Sequence, residues 1–157
     1  MVKFDSTSRL FSIRTKVILT QTDTTVGFLS QNGTKLSQIK SRSSEKPFIK
    51  VYINFKALKD DNIRIPNSKK NLVRRIKKTT FIVKNRSFRV AQTKLHSAIL
   101  RELTWNYSTS ANENTKDFSR IFCEEKADII IEDKNRLFQN DASKLYKINN
   151  KQIERLR

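Results

Sequence analysis

Three short clusters of hydroxyl, amide and cationic side chains could bind a ligand. The first spans residues 22–27, the second contains Lys40 and Arg42 with Lys46 and Pro47 after them, and the third spans residues 108–112. Each stands near the end of a predicted strand or helix, and open α/β sheets usually bind ligands at strand ends. Lysine and arginine suit phosphate or carboxylate groups, and hydroxyl and amide groups can orient oxygen atoms without adding charge.

Each cluster also has an ordinary structural interpretation. A threonine-rich segment after a strand is typical of a turn. Two cations on a basic protein are typical of a solvated face. The serine- and asparagine-containing segment 108–112 is typical of a loop that caps a helix. Taken singly, none of the clusters separates a site from these alternatives.

Hydrophobic periodicity and turn residues predict the elements that position the clusters. We expect strands over residues 16–22, 47–55, 81–83, 88–90, 105–110, 127–131 and 145–148. We expect helices over residues 34–40, 69–78 and 93–104, and another that Thr115 caps. Because strands alternate with helices and nothing repeats, the sequence predicts one α/β domain over residues 1–157 with a mostly central sheet.

The same periodicity predicts which side chains point inward. Segment 47–55 alternates cleanly and should form a half-buried strand. Ser68 should cap helix 69–78, which carries a narrow apolar stripe. The inward residues expected in the four segments are Ile49, Val51, Ile53 and Phe55; Leu72, Val73 and Ile76; Leu95, Ile99 and Leu103; and Phe118, Ile121 and Phe122.

Composition excludes several classes of protein. The 157 residues contain one cysteine and one histidine, so an internal disulfide and the usual zinc sites are excluded. No run approaches the roughly 18 apolar residues of a membrane span, and the N-terminus lacks the order of a signal peptide. We therefore expect a cytoplasmic protein that binds no membrane and has no metal site of its own. The net charge of +18 fits either simple solubility or contact with a polyanion.

Taken in order, the clusters resemble the motifs of the YrdC family. Residues 21–28 resemble its Pro-Thr-Asp-Thr-Val-Tyr-Gly-Leu motif, Lys40 to Arg42 its Lys-Gly-Arg-Pro motif, and residues 108–112 its Ser-Thr-Ser-Ala-Asn loop. Later segments resemble the family's Arg-Val-Pro, at Arg89, and its Ser-Thr-Ile-Val, at Ser143. The resemblance covers about residues 16–157 and implies a single-domain YrdC-like α/β fold, a twisted mixed sheet with flanking helices.

The resemblance also implies an activity, that of a threonylcarbamoyl-AMP synthase. Such an enzyme joins L-threonine, bicarbonate and ATP, with Mg²⁺ expected alongside the nucleotide, and releases pyrophosphate for the threonylcarbamoyladenosine modification of tRNA. The implied catalytic and nucleotide-binding residues are Lys40, Arg42, Ser110 and Asn112, with a terminal arginine, Arg157, also at the nucleotide. The implied substrate-binding residues are Thr22, Thr24, Arg89, Ser108 and Ser143.

The basic helix leaves a second function open. Its apolar stripe is narrow, so the cations around it must face water or an anion. On the second alternative they hold phosphates of tRNA or other double-stranded RNA, and the chain is a non-catalytic YrdC-like RNA-binding module. These residues are Lys69, Lys70, Arg74, Arg75, Lys77 and Lys78. Proteins that transfer the threonylcarbamoyl group are expected partners of the enzyme.

Overall fold

The computed structural model describes residues 13–41, 47–114 and 116–157. The strands are β1 (Ile18–Gln21), β2 (Val26–Ser30), β3 (Ile49–Tyr52), β4 (Thr79–Val83), β5 (Arg86–Val90), β6 (Trp105–Ser110), β7 (Ile129–Ile131), β8 (Lys144–Ile148) and β9 (Ile153–Arg155). The helices with both ends in the described residues are α1 (Gly33–Ile39), α2 (Phe55–Asp60), α3 (Lys70–Arg75), α4 (Lys94–Leu103) and α5 (Arg120–Lys126). A 3-10 turn, Asn67–Lys69, precedes α3.

The described strands form one mixed sheet of nine strands in the order β7-β1-β2-β6-β3-β5-β4-β8-β9. Three neighbouring pairs are parallel, namely β1 with β7, β3 with β5 and β4 with β8, and the other pairs are antiparallel. The predicted mixed α/β architecture with flanking helices is therefore confirmed. Strands β2 and β9 and helix α2 were not predicted.

One face of the sheet carries two apolar clusters. Phe81, Phe88 and Tyr52 are on this face and pack with residues of α2 and α3. Phe28 packs on the same side with residues of α1 and α5. We call this the core face, because α1, α2, α3 and α5 cover it. Burial of the apolar side chains on this face stabilises the fold.

The opposite face is covered by α4, and we call it the α4 face. Leu100 of α4 packs against Val51 of β3, and Leu103 packs against Ile18 and Leu29. Thr93 caps the helix, because its side chain accepts a hydrogen bond from the backbone N–H of His96. The predicted helix over residues 93–104 is thus confirmed. Its buried face is centred one position away from the expected one, on His96, Leu100 and Leu103.

The predicted half-buried strand over residues 47–55 is wrong in two respects. The strand ends at Tyr52, and Phe55 begins α2, because Asn54 accepts a hydrogen bond from the Ala57 N–H at 2.8 Å. Tyr52, on the face expected to be solvated, is 1% exposed, because α2 and α3 pack over it. The strand is therefore buried on both faces where it crosses the middle of the sheet.

The predicted helix over residues 69–78 is shorter than expected. It ends at Arg75, since Ile76 is extended with ψ 124°, and Lys78 has a left-handed φ of 51° before β4 begins. Ser68 lies in the 3-10 turn and does not cap the helix, and no side chain does. The apolar stripe is correct: Val73 is buried, and Leu72 and Ile76 pack partly buried beside it.

The helix expected after residue 115 begins at Arg120. Ser119 is its cap, and Thr115 lies outside the described residues. Phe118 and Phe122 are partly buried as expected, but Ile121 is 75% exposed, and Cys123 takes the inward position instead. In contrast, the strands predicted over residues 81–83 and 88–90 are confirmed as parts of β4 and β5. They form a hairpin with Lys84 and Asn85 both at positive φ in a tight turn.

Candidate active site

A cavity of about 260 Å³ opens on the α4 face, on a part of the sheet that α4 does not cover. It lies over β2, β6, β3 and β5, where adjacent strands place polar side chains on the same side. Seven of the predicted site residues line it: Thr22, Thr24, Arg89, Ser108, Ser110, Ser143 and Arg157. The structure therefore brings together residues that are up to 135 positions apart in the sequence, from Thr22 to Arg157.

Strand β6 explains why this part of the sheet is polar. Its residues alternate, with Trp105 and Tyr107 on the core face and Asn106, Ser108 and Ser110 on the α4 face. The predicted position of the clusters at strand ends is thus only partly right. The serines lie within β6, and the site extends across the face of the sheet.

Gly27 allows the first cluster to fold against β2. A Cβ atom at this position would lie 2.9 Å from Thr22 Cγ2 and 3.0 Å from the Thr109 carbonyl oxygen, which is closer than side chains pack. Thr22 itself holds the turn, because its hydroxyl donates to the Thr25 carbonyl at 2.6 Å and accepts from the Thr24 N–H at 3.3 Å. Thr22 therefore stabilises a turn, as the structural interpretation expected, and it also lines the cavity.

Arg89 lies deep in the cavity and is 5% exposed. Its Nη1 donates to Thr24 Oγ1 and its Nη2 to Thr80 Oγ1, each at 3.0 Å, and among the described residues its Nε has no partner. Burial lowers the pKa of Arg89 to about 10, the Asp23 carboxylate opposes this, and Arg157 adds to it. The guanidinium is therefore still a cation at neutral pH.

Hydroxyl groups connect Arg89 to the other side of the cavity. Thr80 Oγ1 and Ser143 Oγ are 2.8 Å apart, and Arg157 Nε donates to the Ser143 carbonyl oxygen at 3.1 Å. In the described residues no carboxylate forms an ion pair with Arg89 or Arg157. Two arginines near each other without an ion-paired carboxylate leave positive potential in the cavity, which suits an anionic ligand.

Lys40 and the segment around Ser110 form a second group beside this cavity. Lys40 is 5% exposed. Its ammonium donates hydrogen bonds to the carbonyl oxygens of Ser110 (3.1 Å) and Asn112 (2.6 Å) and to Asn112 Oδ1 (2.5 Å). Ser110 Oγ donates to the same Oδ1 at 2.8 Å. Lys40, Ser110 and Asn112 are thus in direct contact, and the lysine charge fixes the loop. Arg42 and Lys46 lie outside the described residues.

A neighbouring cavity of about 320 Å³ shares Thr25, Ser110 and Ala142 with the first. Its other walls include Asn112 and Phe118 and a segment that the sequence did not single out, Gln139 to Asp141. Phe118 offers an apolar surface, and the amides offer donors and acceptors. The two cavities together make an elongated site with Ser110 at their boundary.

The candidate RNA-binding cations lie in or beside two elements of the fold. Arg74 and Arg75 are exposed on α3, which covers the core face, and Arg74 lies 4.2 Å above the Phe55 ring. Lys77 and Lys78 are exposed at the start of β4, where the Lys78 carbonyl accepts from the Lys144 N–H. Lys69 and Lys70 are half-buried. Two of the exposed cations thus belong to α3, and two immediately precede β4.

Within residues 13–41, 47–114 and 116–157, no three His, Cys, Asp or Glu side chains are grouped as a metal site would require. No helix in the same part of the chain is long and apolar enough to cross a membrane.

Comparison with known proteins identifies the fold. No protein-family model matches the chain, and no curated protein matches it. Among solved structures, P. abyssi Sua5 in complex with L-threonine superimposes with a TM-score of 0.76 at 16% identity, over 96% of this chain and 52% of that one. The chain thus spans about half the length of Sua5.

Two shorter proteins match over most of their length. MTH1692 from Methanobacterium thermoautotrophicum gives a TM-score of 0.66 at 16% identity, with 100% of this chain and 88% of that one covered. E. coli YciO gives 0.63 at 16% identity, with 96% and 86% covered. All three contain YrdC-type domains.

Proposed function

We propose that this chain, which has the YrdC-type fold, is an L-threonylcarbamoyladenylate synthase-like nucleotidyltransferase. It combines L-threonine, bicarbonate and ATP and releases pyrophosphate, for the threonylcarbamoyladenosine modification of tRNA. The observation that carries the proposal is the hydroxyl-lined cavity in which Arg89 and Arg157 meet without an ion-paired carboxylate among the described residues.

The first cavity is the proposed threonine subsite. Arg89 binds the substrate carboxylate, because its cation is buried and its Nε is unpaired by any described residue. Thr22, Thr24 and Ser108 orient the amino and hydroxyl groups, and Ser143 closes the side toward Arg157. The proposal is supported by P. abyssi Sua5, which shares the fold and has been solved with L-threonine.

The second cavity and the Lys40 loop form the proposed nucleotide subsite. The amino group of threonine forms a bond to the carbon of bicarbonate and water leaves, which gives a carbamate. The carboxylate oxygen of the carbamate then attacks the α-phosphorus of ATP while the bond to pyrophosphate breaks. Charge on the phosphate oxygens is then neutralised by Lys40, Arg42 and Arg157, and Ser110 and Asn112 orient those oxygens. This role is supported by the contact of the Lys40 ammonium with Ser110 and Asn112, two residues that line the second cavity.

Mg²⁺ is proposed to arrive with ATP. Among the residues that the structure describes, no Asp or Glu side chain lines the first cavity, and Asp141 is the only one that lines the second. Phosphate oxygens and water are therefore the proposed ligands, as is usual for Mg²⁺ bound with a nucleotide.

Pyrophosphate release tests the proposal directly. Purified protein with ATP, Mg²⁺, L-threonine and bicarbonate should release pyrophosphate, and omission of either threonine or bicarbonate should abolish the release. Release that continues without threonine, or no release with the complete mixture, would contradict the proposal. In the variant Lys40→Gln the reaction should be strongly slowed. The substitution removes the ammonium charge and the hydrogen bonds by which it holds the loop at Ser110 and Asn112.

A second candidate function is an RNA-binding module, favoured by the net charge of +18 and the exposed cations at residues 74–78. Such a module would bind tRNA or other double-stranded RNA through phosphates, with strong salt dependence and little sequence preference. In the enzyme the same cations would hold the tRNA, or a threonylcarbamoyl-transfer partner would deliver it. RNA affinity measured at several salt concentrations, alongside the pyrophosphate assay, separates a module from an enzyme.

A further inference from the structure

Four polar side chains are enclosed between α4 and the sheet, next to the threonine subsite. They are Asp23 and Arg89, each 5% exposed, and His96 and Asn106, each 0% exposed. Among the described residues, both imidazole nitrogens of His96, both amide atoms of Asn106 and Nε of Arg89 lack a hydrogen-bond partner. Unpaired buried polar groups cost stability, so their presence among Leu100 and Leu103 calls for a physical reason.

Asp23 links the N-terminus of α4 to this group. Its two carboxylate oxygens accept hydrogen bonds from the backbone N–H groups of Gln92 (2.7 Å) and Thr93 (2.9 Å). Its Oδ1 lies 3.9 Å from His96 Nδ1, and its charge also acts on Arg89. The carboxylate is therefore fixed by the backbone, and it is shared electrostatically by an arginine and a histidine.

His96 is neutral in the ligand-free protein at neutral pH. Burial lowers its pKa below the ordinary value, the Asp23 carboxylate opposes this, the Arg89 cation reinforces it, and the Asn106 amide favours protonation. The groups that act on the imidazole thus come from the β1–β2 loop, from β5 and from β6. In this state the positive charge of Arg89 and the negative charge of Asp23 balance.

An anion on Arg89 disturbs this balance. The threonine carboxylate pairs with the guanidinium, while the threonine ammonium stays in the cavity outside the enclosed group. The Asp23 charge is then left without an equal positive charge in the enclosed group. A proton on His96 would restore neutrality, and Asp23 Oδ1 is already 3.9 Å from the nitrogen that would carry it. Charge compensation of this kind is strong where water is excluded.

We infer that His96 is a positioning residue for the carboxylate subsite, and that its imidazole takes up a proton from solvent and pairs with Asp23 when a carboxylate binds Arg89. The inference rests on the proposed function, since it takes threonine as the ligand of Arg89. His96 does not touch the substrate. It acts through Asp23, and through the start of α4 that Asp23 holds.

The chain has one histidine, which makes the test specific. Isotope labelling of histidine gives imidazole NMR signals that belong to His96 alone, and a pH titration without and with saturating L-threonine gives two pKa values. We expect the value with threonine to be higher by at least one pH unit. Calorimetry in two buffers of different ionisation enthalpy should show proton uptake between the two values.

Two variants complete the experiment. In Arg89→Gln, threonine should leave the His96 titration unchanged. His96→Gln should still bind threonine at pH 8, but its affinity should change less than twofold on acidification, whereas a one-unit pKa shift in wild type implies up to tenfold tighter binding at low pH.

The outcomes are distinguishable. Threonine binding at pH 8 with an unchanged His96 titration would overturn the inference and leave the proposed function standing. Failure of the wild-type protein to bind threonine would overturn both. Because the titration uses wild-type protein, a variant that failed to fold would not prevent the decision.

Discussion

The two faces of the sheet are built from the same strands and are both buried in the middle of the molecule, yet they do different things. Phe88 and Arg89 are neighbours in β5; Phe88 is 0% exposed on the core face and Arg89 is 5% exposed on the α4 face. Phe88 stacks with Phe81 with ring centroids 6.0 Å apart, whereas Arg89 contacts two threonine hydroxyls. Burial alone therefore does not separate core from site; the chemical type at alternating positions does.

The largest expected effect distinguishes the two faces directly. Arg89→Gln should lower threonine-dependent pyrophosphate release at least about 100-fold, because the protein loses the fixed cation that binds the substrate carboxylate. The protein should remain folded, since the polar amide can still meet the Thr24 and Thr80 hydroxyls. Steady-state assay and thermal melting measure the two quantities.

The matched change on the core face is Phe88→Ala. It should reduce the free energy of unfolding by about 3–5 kcal/mol through the cavity it leaves, while the folded fraction keeps its threonine affinity. If Phe88→Ala removed threonine binding from folded protein as completely as Arg89→Gln, the functional division between the faces would be wrong.

The loop at Asn112 offers the next contrast. Asn112→Ala removes a hydrogen bond from the Lys40 ammonium and should slow pyrophosphate release about 10- to 100-fold with little change in melting temperature. The control is Ser119→Ala, which removes the actual cap of α5 and should cost about 1 kcal/mol of stability without slowing the reaction. The reverse pattern would make residues 108–112 a structural loop.

Sequence periodicity predicted elements well where a single physical signal dominated. The helix over residues 93–104, the strands β4 and β5 and the apolar stripe of Leu72, Val73 and Ile76 follow from local chemistry, and each is confirmed. Helix α2 was missed because Phe55 continues the alternation of β3 and the Asn54 cap that ends it is one polar residue. Which face of a strand is covered is set by distant elements, so the burial of Tyr52 could not be predicted.

In the candidate site, too, the features set by local sequence could be predicted and those set by distant elements could not. Motif resemblance predicted residues that the structure places in one cavity, and alternation in β6 could have shown that Asn106, Ser108 and Ser110 share a face. Asp23 lies within the first cluster but was assigned no role, because its partners, the N–H groups of Gln92 and Thr93, are 69 and 70 residues away. His96 was treated only as a lone histidine, since its burial becomes visible only when α4 is placed on the sheet.

Measured RNA affinities of charge-neutral variants should show whether the cations on α3 or those just before β4 contact RNA. If RNA lies near the cavity, Lys77→Gln with Lys78→Gln should weaken binding several-fold and reduce the salt slope by about one unit per lost phosphate contact. Arg74→Gln with Arg75→Gln removes the same charge from α3 and serves as the control. Equal losses in both pairs would place RNA on both surfaces, and unchanged affinity in both would leave all four as solvated charges.

The smallest expected effect is a pH dependence of stability on the α4 face. The pKa of His96 is lower in the folded than in the unfolded protein, so the unfolded state binds the proton more tightly. Stability is therefore full above about pH 6.5 and falls as pH drops toward the folded pKa, by at most about 1.4 kcal/mol per pH unit. His96→Leu should flatten this slope in denaturant titrations between about pH 5 and 6.5. A slope unchanged by the substitution would assign it to another group.

A crystal structure of the protein with L-threonine tests most directly whether Arg89 binds the substrate carboxylate. We expect one threonine in the cavity of about 260 Å³. Its carboxylate should lie within hydrogen-bond distance of the Arg89 guanidinium, and its other polar groups should lie near Thr22, Thr24 and Ser143. Threonine bound elsewhere, or bound here with its carboxylate away from Arg89, would contradict this expectation.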